Sequence, residues 1–433
     1  MPKNNPSSPR KAAFICVKNS LYAGWELQAS LDKTLSNPNL STVDKHLATE
    51  LAYGYLRLKG RLEYILSHFL HSPQKIPRDT GLALGLAAYE LLFLNRIPAY
   101  ASVHYWVEHI KKGSGKLAKL ANAVLRRIAE NSLSFEDQDF YLQDSPSTMV
   151  FLSRYYSCPQ WIIKLWLQSF SEQEVLTLLK TGLQAPPVGL RFNLQHPDYP
   201  STFAYFAGLA ECLLCQRPGL AFAKTPQEDL SNLLERGLLS RQSISSQKAL
   251  LDLQPDLWPL PIWDACAGKG GKTGLLKEMG RETVWASDFS LTKLRTCKRE
   301  LQRLGFRHNL LFSTDLCLEL PVRPSPGTIL LDAPCSGLGV LSRRPDSKWK
   351  RTPADCQQLA KVQARMLENA YTKLKQGGLL AYLTCTLNPA ENRNQISEFL
   401  TRHPEARLKT EKPTPIADPW QEFFYTALIK KGG

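Results

Sequence analysis

The sequence lacks the apolar run of about eighteen residues that a membrane-spanning helix needs. Its amino-terminal segment, MPKNNPSSPRKAAFICV, is basic, but the apolar stretch within it is too short for a secretory signal. The ten cysteines show no paired spacing typical of a disulfide framework. We therefore expect a cytoplasmic protein with reduced thiols and no membrane partner.

The sequence also has few motifs with the spacing of metal ligands. The single CxxC pair, Cys212 and Cys215, has no second pair of ligands, and a half-buried helical position accounts for both residues. The sequence therefore predicts no metal site.

Acidic residues are outnumbered, with 39 Asp and Glu against 54 Lys and Arg, for a formal charge of +15. Such a balance favours a polyanionic partner, with nucleic acid ahead of an anionic membrane surface, although a solvated basic surface gives the same count. At 433 residues and 43% hydrophobic content, the chain is long enough for two or three domains with cores of their own.

The first part of the chain, residues 1–135, shows helical periodicity. Apolar residues recur at spacings of three and four, and Pro73, Pro77 and Pro98 fall between the periodic segments. The last segment, KLAKLANAVLRRIAE, carries four cations that suit RNA phosphates or a solvated face equally well: Lys116, Lys119, Arg126 and Arg127. A compact helical bundle is predicted here.

Residues 131–150 are polar and acidic and contain Pro146, so they are predicted to form a linker. A small α/β subdomain is expected over 150–245, with a helix after Pro159 and a short strand within 185–193. From 246 to 433 strands and helices alternate, which predicts a parallel, doubly wound sheet. The segment FFYTALIKK at 423–431 is expected to be its antiparallel edge strand.

A glycine-rich turn follows the first strand of this last domain, in IWDACAGKGGKTGLL. A P-loop fails because its first glycine would fall on Cys266, and a dinucleotide fingerprint fails because its third glycine would fall on Thr273. An S-adenosylmethionine cradle fits, with Asp288 ending the next strand for the ribose hydroxyls and Asp315 ending the third strand near the adenine. A purely structural glycine turn is the alternative.

Two further strands each deliver a cysteine at the carboxyl edge. TILLDAPCSG ends a strand at Asp332 and carries Cys335, and LLAYLTCTLNP places Cys385 after another strand. Cysteine in a strand is usually a small buried hydrophobe, but loop-forming ends beside an acid favour chemistry. Methylation at carbon 5 of cytosine needs a thiolate that adds to carbon 6, an acid at the ring nitrogen and a second proton-accepting group. Two thiols and one carboxylate meet those needs.

Two resemblances bear on the function. Residues 50–57 (ELAYGYLR), 88–98 (AYELLFLNRIP) and 121–127 (ANAVLRR) resemble the NusB-like RNA-binding fold. DACAGKGGKT, LLDAPCSGLGVLSRRPDSKW and YLTCTLNPAEN resemble the motifs of the RsmB/Sun family of rRNA (cytosine-5)-methyltransferases. The chain departs from that family at Gly268 and Lys269, where alanine and proline are usual.

The resemblance implies a multidomain fold with an all-α NusB-like bundle, a small α/β linking subdomain and a Rossmann-like methyltransferase domain. It implies that Cys385 is the nucleophile, that Cys335 is the release thiol and that Asp332 binds cofactor and target base. The residues it assigns to S-adenosylmethionine are Cys266, Ala267, Gly268, Lys269, Gly270, Gly271, Lys272, Asp288, Asp315 and Asp332.

The expected activity is methylation of a cytosine at carbon 5 in RNA, with small-subunit (16S) rRNA as the expected substrate and S-adenosylmethionine as the methyl donor. A monomer is expected, and DNA is not expected as a partner. Two alternatives stay open, namely a non-catalytic RNA-binding ribosome-assembly protein and the same chemistry on tRNA. An arrangement in which Cys335 attacks the base, as in DNA methyltransferases, would exchange the roles of the two thiols.

Overall fold

The computed structural model describes residues 8–145, 147–307, 310–318 and 322–432. These residues form two compact units. Unit 1 contains the chain up to Gln184 together with Arg344–Lys350, and unit 2 contains Ala185–Arg343 and the chain from Arg351 onward. Pro146, expected to mark a linker, lies outside the described residues. The division into three domains at 135, 150 and 246 stays a prediction.

Unit 1 is helical throughout its described residues, as predicted for the part up to 135. Pro73 begins a 3₁₀ turn, and Pro77 and Pro98 are the N-cap residues of two helices, so the prolines do separate the segments. The helices are α1 (Pro9–Tyr22), α2 (Leu27–Leu35), α3 (Thr42–Ser67), α4 (Arg78–Phe93), α5 (Ala99–Lys111), α6 (Gly115–Glu130), α7 (Thr148–Tyr155), α8 (Gln160–Leu167) and α9 (Glu172–Thr181), with 3₁₀ turns at Pro73–Lys75, Ser132–Phe135 and Asp139–Leu142.

The linker predicted over 131–150 is wrong for most of its length. Phe135 and Tyr141 are buried in the same core as the α1–α6 side chains. Arg61 of α3 fixes the segment, because its guanidinium donates to the Tyr141 hydroxyl and to the Phe135 carbonyl, both at 2.7 Å. Two aromatic side chains among the acidic residues have enough apolar area to bring this stretch into the core.

Unit 2 contains two sheets. The smaller one is antiparallel, in the order β2-β3-β1-β4, and it lies within the range 150–245 that was predicted to be an α/β subdomain. Residues 150–184 of that range belong instead to the helical unit 1, so the subdomain as a whole stays a prediction. Cys212 and Cys215 lie on its edge strand β2, so their helical placement was wrong. Pairing with buried β3 decides their conformation. The elements are β1 (Val188–Phe192), α10 (Tyr199–Ala207), β2 (Cys212–Gln216), β3 (Gly219–Phe222), α11 (Leu230–Glu235), β4 (Leu239–Arg241) and α12 (Ile244–Leu251).

The larger sheet has the order β10-β11-β9-β8-β5-β6-β7. Strands β5 to β9 are parallel, as predicted, and β11 is antiparallel to both of its neighbours. The elements are β5 (Ile262–Asp264), α13 (Gly271–Glu278), β6 (Val284–Asp288), α14 (Leu291–Arg303), β7 (Leu310–Ser313), β8 (Thr328–Asp332), α16 (Pro353–Lys373), β9 (Leu379–Thr384), α17 (Arg393–Arg402), β10 (Arg407–Pro413) and β11 (Tyr425–Lys430), with 3₁₀ turns at Pro255–Leu257 and Pro389–Glu391. Helix α15 (Ser347–Lys350), between β8 and α16 in the chain, belongs to unit 1.

The predicted edge strand at 423–431 is wrong in its place within the sheet. Strand β11 lies between β9 and β10, and β10 forms the edge. The reason is burial: Tyr425, Ala427 and Ile429 of β11 are buried, whereas β10 is largely exposed. Lysines and a terminal proline, as in the β10 sequence RLKTEKP, are typical of an edge that must not pair further.

The segment Arg344–Lys350 follows the Cys335 loop in the chain but belongs to unit 1. The Trp349 indole N–H donates to the Leu56 carbonyl at 2.7 Å, and the Lys348 ammonium donates to the Arg57 carbonyl at 2.8 Å. A Cβ atom at Gly60 would lie 2.9 Å from the Trp349 ring, so α3 needs glycine there. The motif RPDSKW is therefore a structural element of the helical unit.

No helix in the described part of the chain combines the length and the apolar character that crossing a membrane requires.

Candidate active site

The glycine-rich turn lies between β5 and α13. Gly268 and Gly270 have φ of 57° and 89°, in the left-handed region where glycine is favoured. A Cβ atom at Gly270 would also lie 2.8 Å from the Cys297 sulfur. Gly270 is the N-cap of α13, so the helix begins at Gly271. The turn therefore has the tight geometry predicted for a cofactor cradle.

Asp288 at the end of β6 faces this turn. Its carboxylate accepts the Gly268 N–H at 3.0 Å with one oxygen and the Ser290 N–H at 2.8 Å with the other. The loop after β7 lies beside Asp288, because the Thr314 N–H donates to the Asp288 carbonyl at 3.4 Å. Asp315 is the next residue, and its carboxylate accepts the Cys317 N–H at 2.9 Å. The structure thus brings the predicted turn and acids to one edge of the sheet.

Some residues of the turn point into the protein. Cys266 packs against the core of the larger sheet, and burial raises the pKa of its thiol well above the usual value. The Gly271 carbonyl accepts from the Arg191 guanidinium at 2.6 Å. The Ala267 N–H donates to the Ser287 carbonyl at 2.8 Å, while Lys269 is exposed. Backbone groups, more than side chains, are what this turn offers a ligand.

The sequence analysis missed Asp264, the last residue of β5. Its carboxylate is fully buried and accepts the Thr273 hydroxyl at 2.6 Å, while its other oxygen, Oδ1, has no hydrogen-bond partner among the described residues. Burial raises the pKa of Asp264 to about 7. The signal was present, because Asp264 ends a buried strand as Asp288 and Asp332 do.

Lys272 on the first turn of α13 reaches the end of β8. Its ammonium lies 2.6 Å from Asp332 Oδ2 and is buried, whereas a third of the Asp332 side chain is exposed. Burial by itself lowers the pKa of Lys272, but Asp332, Asp264 and Cys385 together raise it above the usual value. The lysine therefore stays charged, is paired with Asp332 and interacts with the charge of Cys385.

The two predicted catalytic thiols meet across neighbouring strands. The sulfur atoms of Cys335 and Cys385 lie 3.3 Å apart, and the Cys385 N–H donates to the Cys335 sulfur at 3.3 Å. Both side chains are half-buried. The hydrogen bond with Cys385, burial and the charges of Cys385 and Glu391 raise the pKa of Cys335 well above the usual value. One negative charge on the pair is therefore favoured over two.

The chain matches two protein-family models. Residues 248–422 match the family model of the 16S rRNA methyltransferase RsmB/F, and residues 8–130 match that of the NusB family. The chain is 33% identical over 434 residues to ribosomal RNA small subunit methyltransferase B of Vibrio cholerae, covering 95% of this chain and 96% of that protein. The chain belongs to the RsmB/F family of 16S rRNA methyltransferases.

Solved structures support the fold of this RsmB/F chain. The crystal structure of PH0851 matches with a TM-score of 0.74 at 19% identity, over 98% of this chain and 99% of that one. NSun6 from Pyrococcus horikoshii, solved with SFG, matches with a TM-score of 0.53 at 19% identity, over 64% of this chain and 98% of that one. The predicted NusB-like bundle and Rossmann-like domain are confirmed.

The cofactor of this family is S-adenosylmethionine, and the residues present fit it. Asp264 Oδ1 is a buried acceptor without a partner among the described residues, which suits a donor such as the ammonium of a methionine moiety. Asp288 is held at the turn by both of its oxygens, and each oxygen keeps a further lone pair for a hydroxyl donor. The carboxylates of Asp264 and Asp288 therefore lie beside the glycine-rich turn, where they can accept hydrogen bonds from the ammonium and ribose hydroxyl groups of S-adenosylmethionine.

Other cations near the RsmB/F motifs have different roles. The Arg343 guanidinium is paired with the buried Glu422 carboxylate. Arg344 and Lys348 belong to unit 1, where burial lowers the pKa of Lys348 to about 8. Lys272, by contrast, interacts with the charge of Cys385.

Proposed function

We propose that this protein transfers a methyl group from S-adenosylmethionine to carbon 5 of a cytosine in 16S rRNA, through a covalent adduct with Cys385. The single observation that carries this proposal is the contact of two thiols beside a lysine–carboxylate pair. A methyltransferase acting on an already nucleophilic atom has no need for two adjoining thiols. Cytosine carbon 5 does need them, because it must first be activated.

Attack comes from Cys385. Its thiolate forms a bond to carbon 6, and the electron pair of the 5,6 double bond makes carbon 5 nucleophilic. A proton from solvent on ring nitrogen N3 balances the added charge, and the Asp332 carboxylate stabilises that protonated nitrogen. Lys272 favours the Cys385 thiolate by its charge and orients Asp332 through the 2.6 Å contact.

S-adenosylmethionine, when bound, supplies an electrophilic methyl group for carbon 5. Asp264, Asp288, Asp315 and the backbone of the Gly268–Gly271 turn are the groups that hold it. Carbon 5 still carries its hydrogen when the methyl group is added. A base must therefore remove that proton before the bond between carbon 6 and Cys385 can break.

Cys335 is suited to be this base because the pKa of its thiol depends on the state of Cys385. At rest, the hydrogen bond with Cys385 is the largest cause of its raised pKa. Once Cys385 is bonded to carbon 6 it is a neutral thioether, so that cause disappears and Cys335 ionises more readily. Its thiolate then takes the proton from carbon 5, the carbon–sulfur bond breaks as the 5,6 double bond forms again, and Cys385 leaves as a thiolate. Ring nitrogen N3 returns its proton to solvent, which gives neutral 5-methylcytosine.

RNA must present the cytosine outside any base stack for this chemistry. We propose that the cationic face of α6 contributes phosphate contacts to the same substrate. Lys116, Lys119, Arg126 and Arg127 are all exposed on that helix, opposite the buried Ala121, Val124, Leu125 and Ile128.

Nucleoside analysis tests the proposal. Purified protein and labelled S-adenosylmethionine are incubated with 16S rRNA or bulk tRNA from cells that lack the gene, and the digested nucleosides are separated. Labelled 5-methylcytidine from 16S rRNA is expected, and bisulfite sequencing then locates it. Label in tRNA alone would reassign the substrate. RNA binding without any methyl transfer would favour a ribosome-assembly protein.

A further inference from the structure

Glu391 is a buried acid that the reaction described above does not use. It follows Cys385 in the turn NPAEN, its side chain is fully buried, and no ion pair involves it within the described ranges. Three donors satisfy it: the Asn388 amide at 2.8 Å on Oε1, and the Ser336 N–H at 2.8 Å and the Gln363 amide at 3.0 Å on Oε2. Because both oxygens must accept, a carboxylate fits here and an amide does not fully replace it.

The donors to Glu391 hold the backbone on both sides of Cys335. Ser336 directly follows that cysteine, and the Gln363 amide also donates to the Pro334 carbonyl at 2.9 Å. A further hydrogen bond at 2.6 Å joins the Ser336 and Thr386 hydroxyls, and Thr386 directly follows Cys385. The residues next to each thiol are therefore fastened to one another and to one buried carboxylate.

The Glu391 backbone is anchored as firmly as its side chain. Its carbonyl accepts the Tyr382 hydroxyl at 2.7 Å, and Tyr382 is a buried residue of β9. The neighbouring Asn392 amide donates to the Thr386 carbonyl at 2.8 Å. Through these hydrogen bonds, Glu391 connects the Cys335 loop to β9, the strand that Cys385 directly follows.

We propose that Glu391 is a positioning residue that fixes the spacing of the Cys335 and Cys385 thiols and whose charge disfavours a second negative charge on Cys335. This deepens the proposed function and rests on it for the roles of the thiols. The charge of Glu391 is among the causes that raise the pKa of Cys335. The acid would thereby keep Cys335 protonated while Cys385 attacks.

Other charged or titratable groups face the same loop and must be held constant in any test. They are Tyr382 on β9 and Cys385 directly after it, Asp332 at the end of β8 with its partner Lys272 from α13, and Cys356 and Arg351 beside Ser336.

The first experiment measures thiol ionisation without RNA or cofactor. Cys385→Ala is made in the full-length protein with Glu391, with Glu391→Gln, and with the control Glu411→Gln, which removes a carboxyl that contacts Arg393 and Tyr425 instead. Alkylation of Cys335 by iodoacetamide is followed against pH by peptide mass spectrometry. Glu391→Gln is expected to move the midpoint down by roughly one pH unit, and Glu411→Gln to leave it in place.

The second experiment measures turnover with both thiols present. Glu391→Gln and Glu391→Ala are expected to lower kcat at least tenfold with little change in KM for RNA, and Glu391→Asp to recover part of the loss. An unshifted midpoint, or a kcat equal to that of the Glu411→Gln control, would overturn the proposal. Because the alkylation needs no substrate, a shifted midpoint in a protein that transfers no methyl group would reject the proposed function and leave the charge effect of Glu391 standing.

Discussion

The Cys385 N–H points at the Cys335 sulfur, and the two sulfur atoms are in contact at 3.3 Å. This contact follows from the sheet, because β8 and β9 are neighbours and Asp332 is level with Leu383. Gly339 closes the loop over them: its N–H donates to the Cys385 carbonyl at 3.0 Å, and a Cβ atom there would lie 2.2 Å from the Phe423 carbonyl oxygen. Such a contact disfavours negative charge on both sulfur atoms at once, which suits successive roles in a single turnover.

Removal of each thiol is predicted to give a different product. Cys335→Ala should still attack RNA and transfer the methyl group, but it should accumulate a denaturant-resistant RNA adduct because the carbon 5 proton is not removed. Cys385→Ala should form no adduct and transfer no methyl group. Both are read on denaturing gels with labelled RNA, and Cys215→Ala on exposed β2 is the control. An adduct in Cys385→Ala and none in Cys335→Ala would exchange the two roles.

Loss of the Asp288 carboxylate is predicted to weaken S-adenosylmethionine binding by about 1 to 3 kcal/mol. The reason is that Asp288 both organises the Gly268 turn and offers acceptors to ribose hydroxyls. Isothermal titration of Asp288→Ala measures the change, with Glu398→Gln on the exposed face of α17 as the control. An affinity equal to that of the control would remove Asp288 from the cofactor site.

RNA affinity is predicted to fall steeply with salt, in part through α6. Neutralising Arg126 and Arg127 together should flatten the plot of log affinity against log salt by about 1 to 2 units, since each phosphate contact releases counterions. The exposed pair Lys164 and Lys180, on α8 and α9 of the same unit, provides a control with the same loss of charge. Equal slopes in the two double variants would mean that the α6 face is only solvated.

The buried Asp264 is predicted to make stability depend on pH. Its pKa is about 7 in the folded protein against 3.8 normally, so the folded state holds a proton that the unfolded state releases. Stability from this group is therefore complete below about pH 4, declines as pH rises to about 7 and is then constant, with an upper limit of about 4 kcal/mol.

Asp264→Asn removes this dependence and keeps an oxygen for the Thr273 hydroxyl. Urea unfolding of the full-length protein at pH 5 and pH 8 should show the variant gaining stability relative to the parent as pH rises. A stability difference that is the same at both pH values would show that Asp264 is already ionised in the folded protein.

Local patterns in the sequence were sufficient for much of the site. Gly268 and Gly270 were predictable because few other residues adopt their backbone angles, and Asp288, Asp332, Cys335 and Cys385 because each follows a short apolar strand at the edge where parallel strands end. The helical bundle was predictable because its apolar spacing extends over whole helices. These properties depend on neighbours in the chain.

Tertiary structure alone decided the rest. Whether β10 or β11 forms the edge of the sheet depends on which of them pairs with β9. The spacing of strands along the sequence does not determine that pairing. Glu391 and Gln363 look like ordinary polar residues until folding buries them beneath the Cys335 loop. Likewise, Trp349 follows the Cys335 loop in the chain yet packs against α3. Burial and hydrogen bonding between residues distant in sequence are set only when the chain has folded.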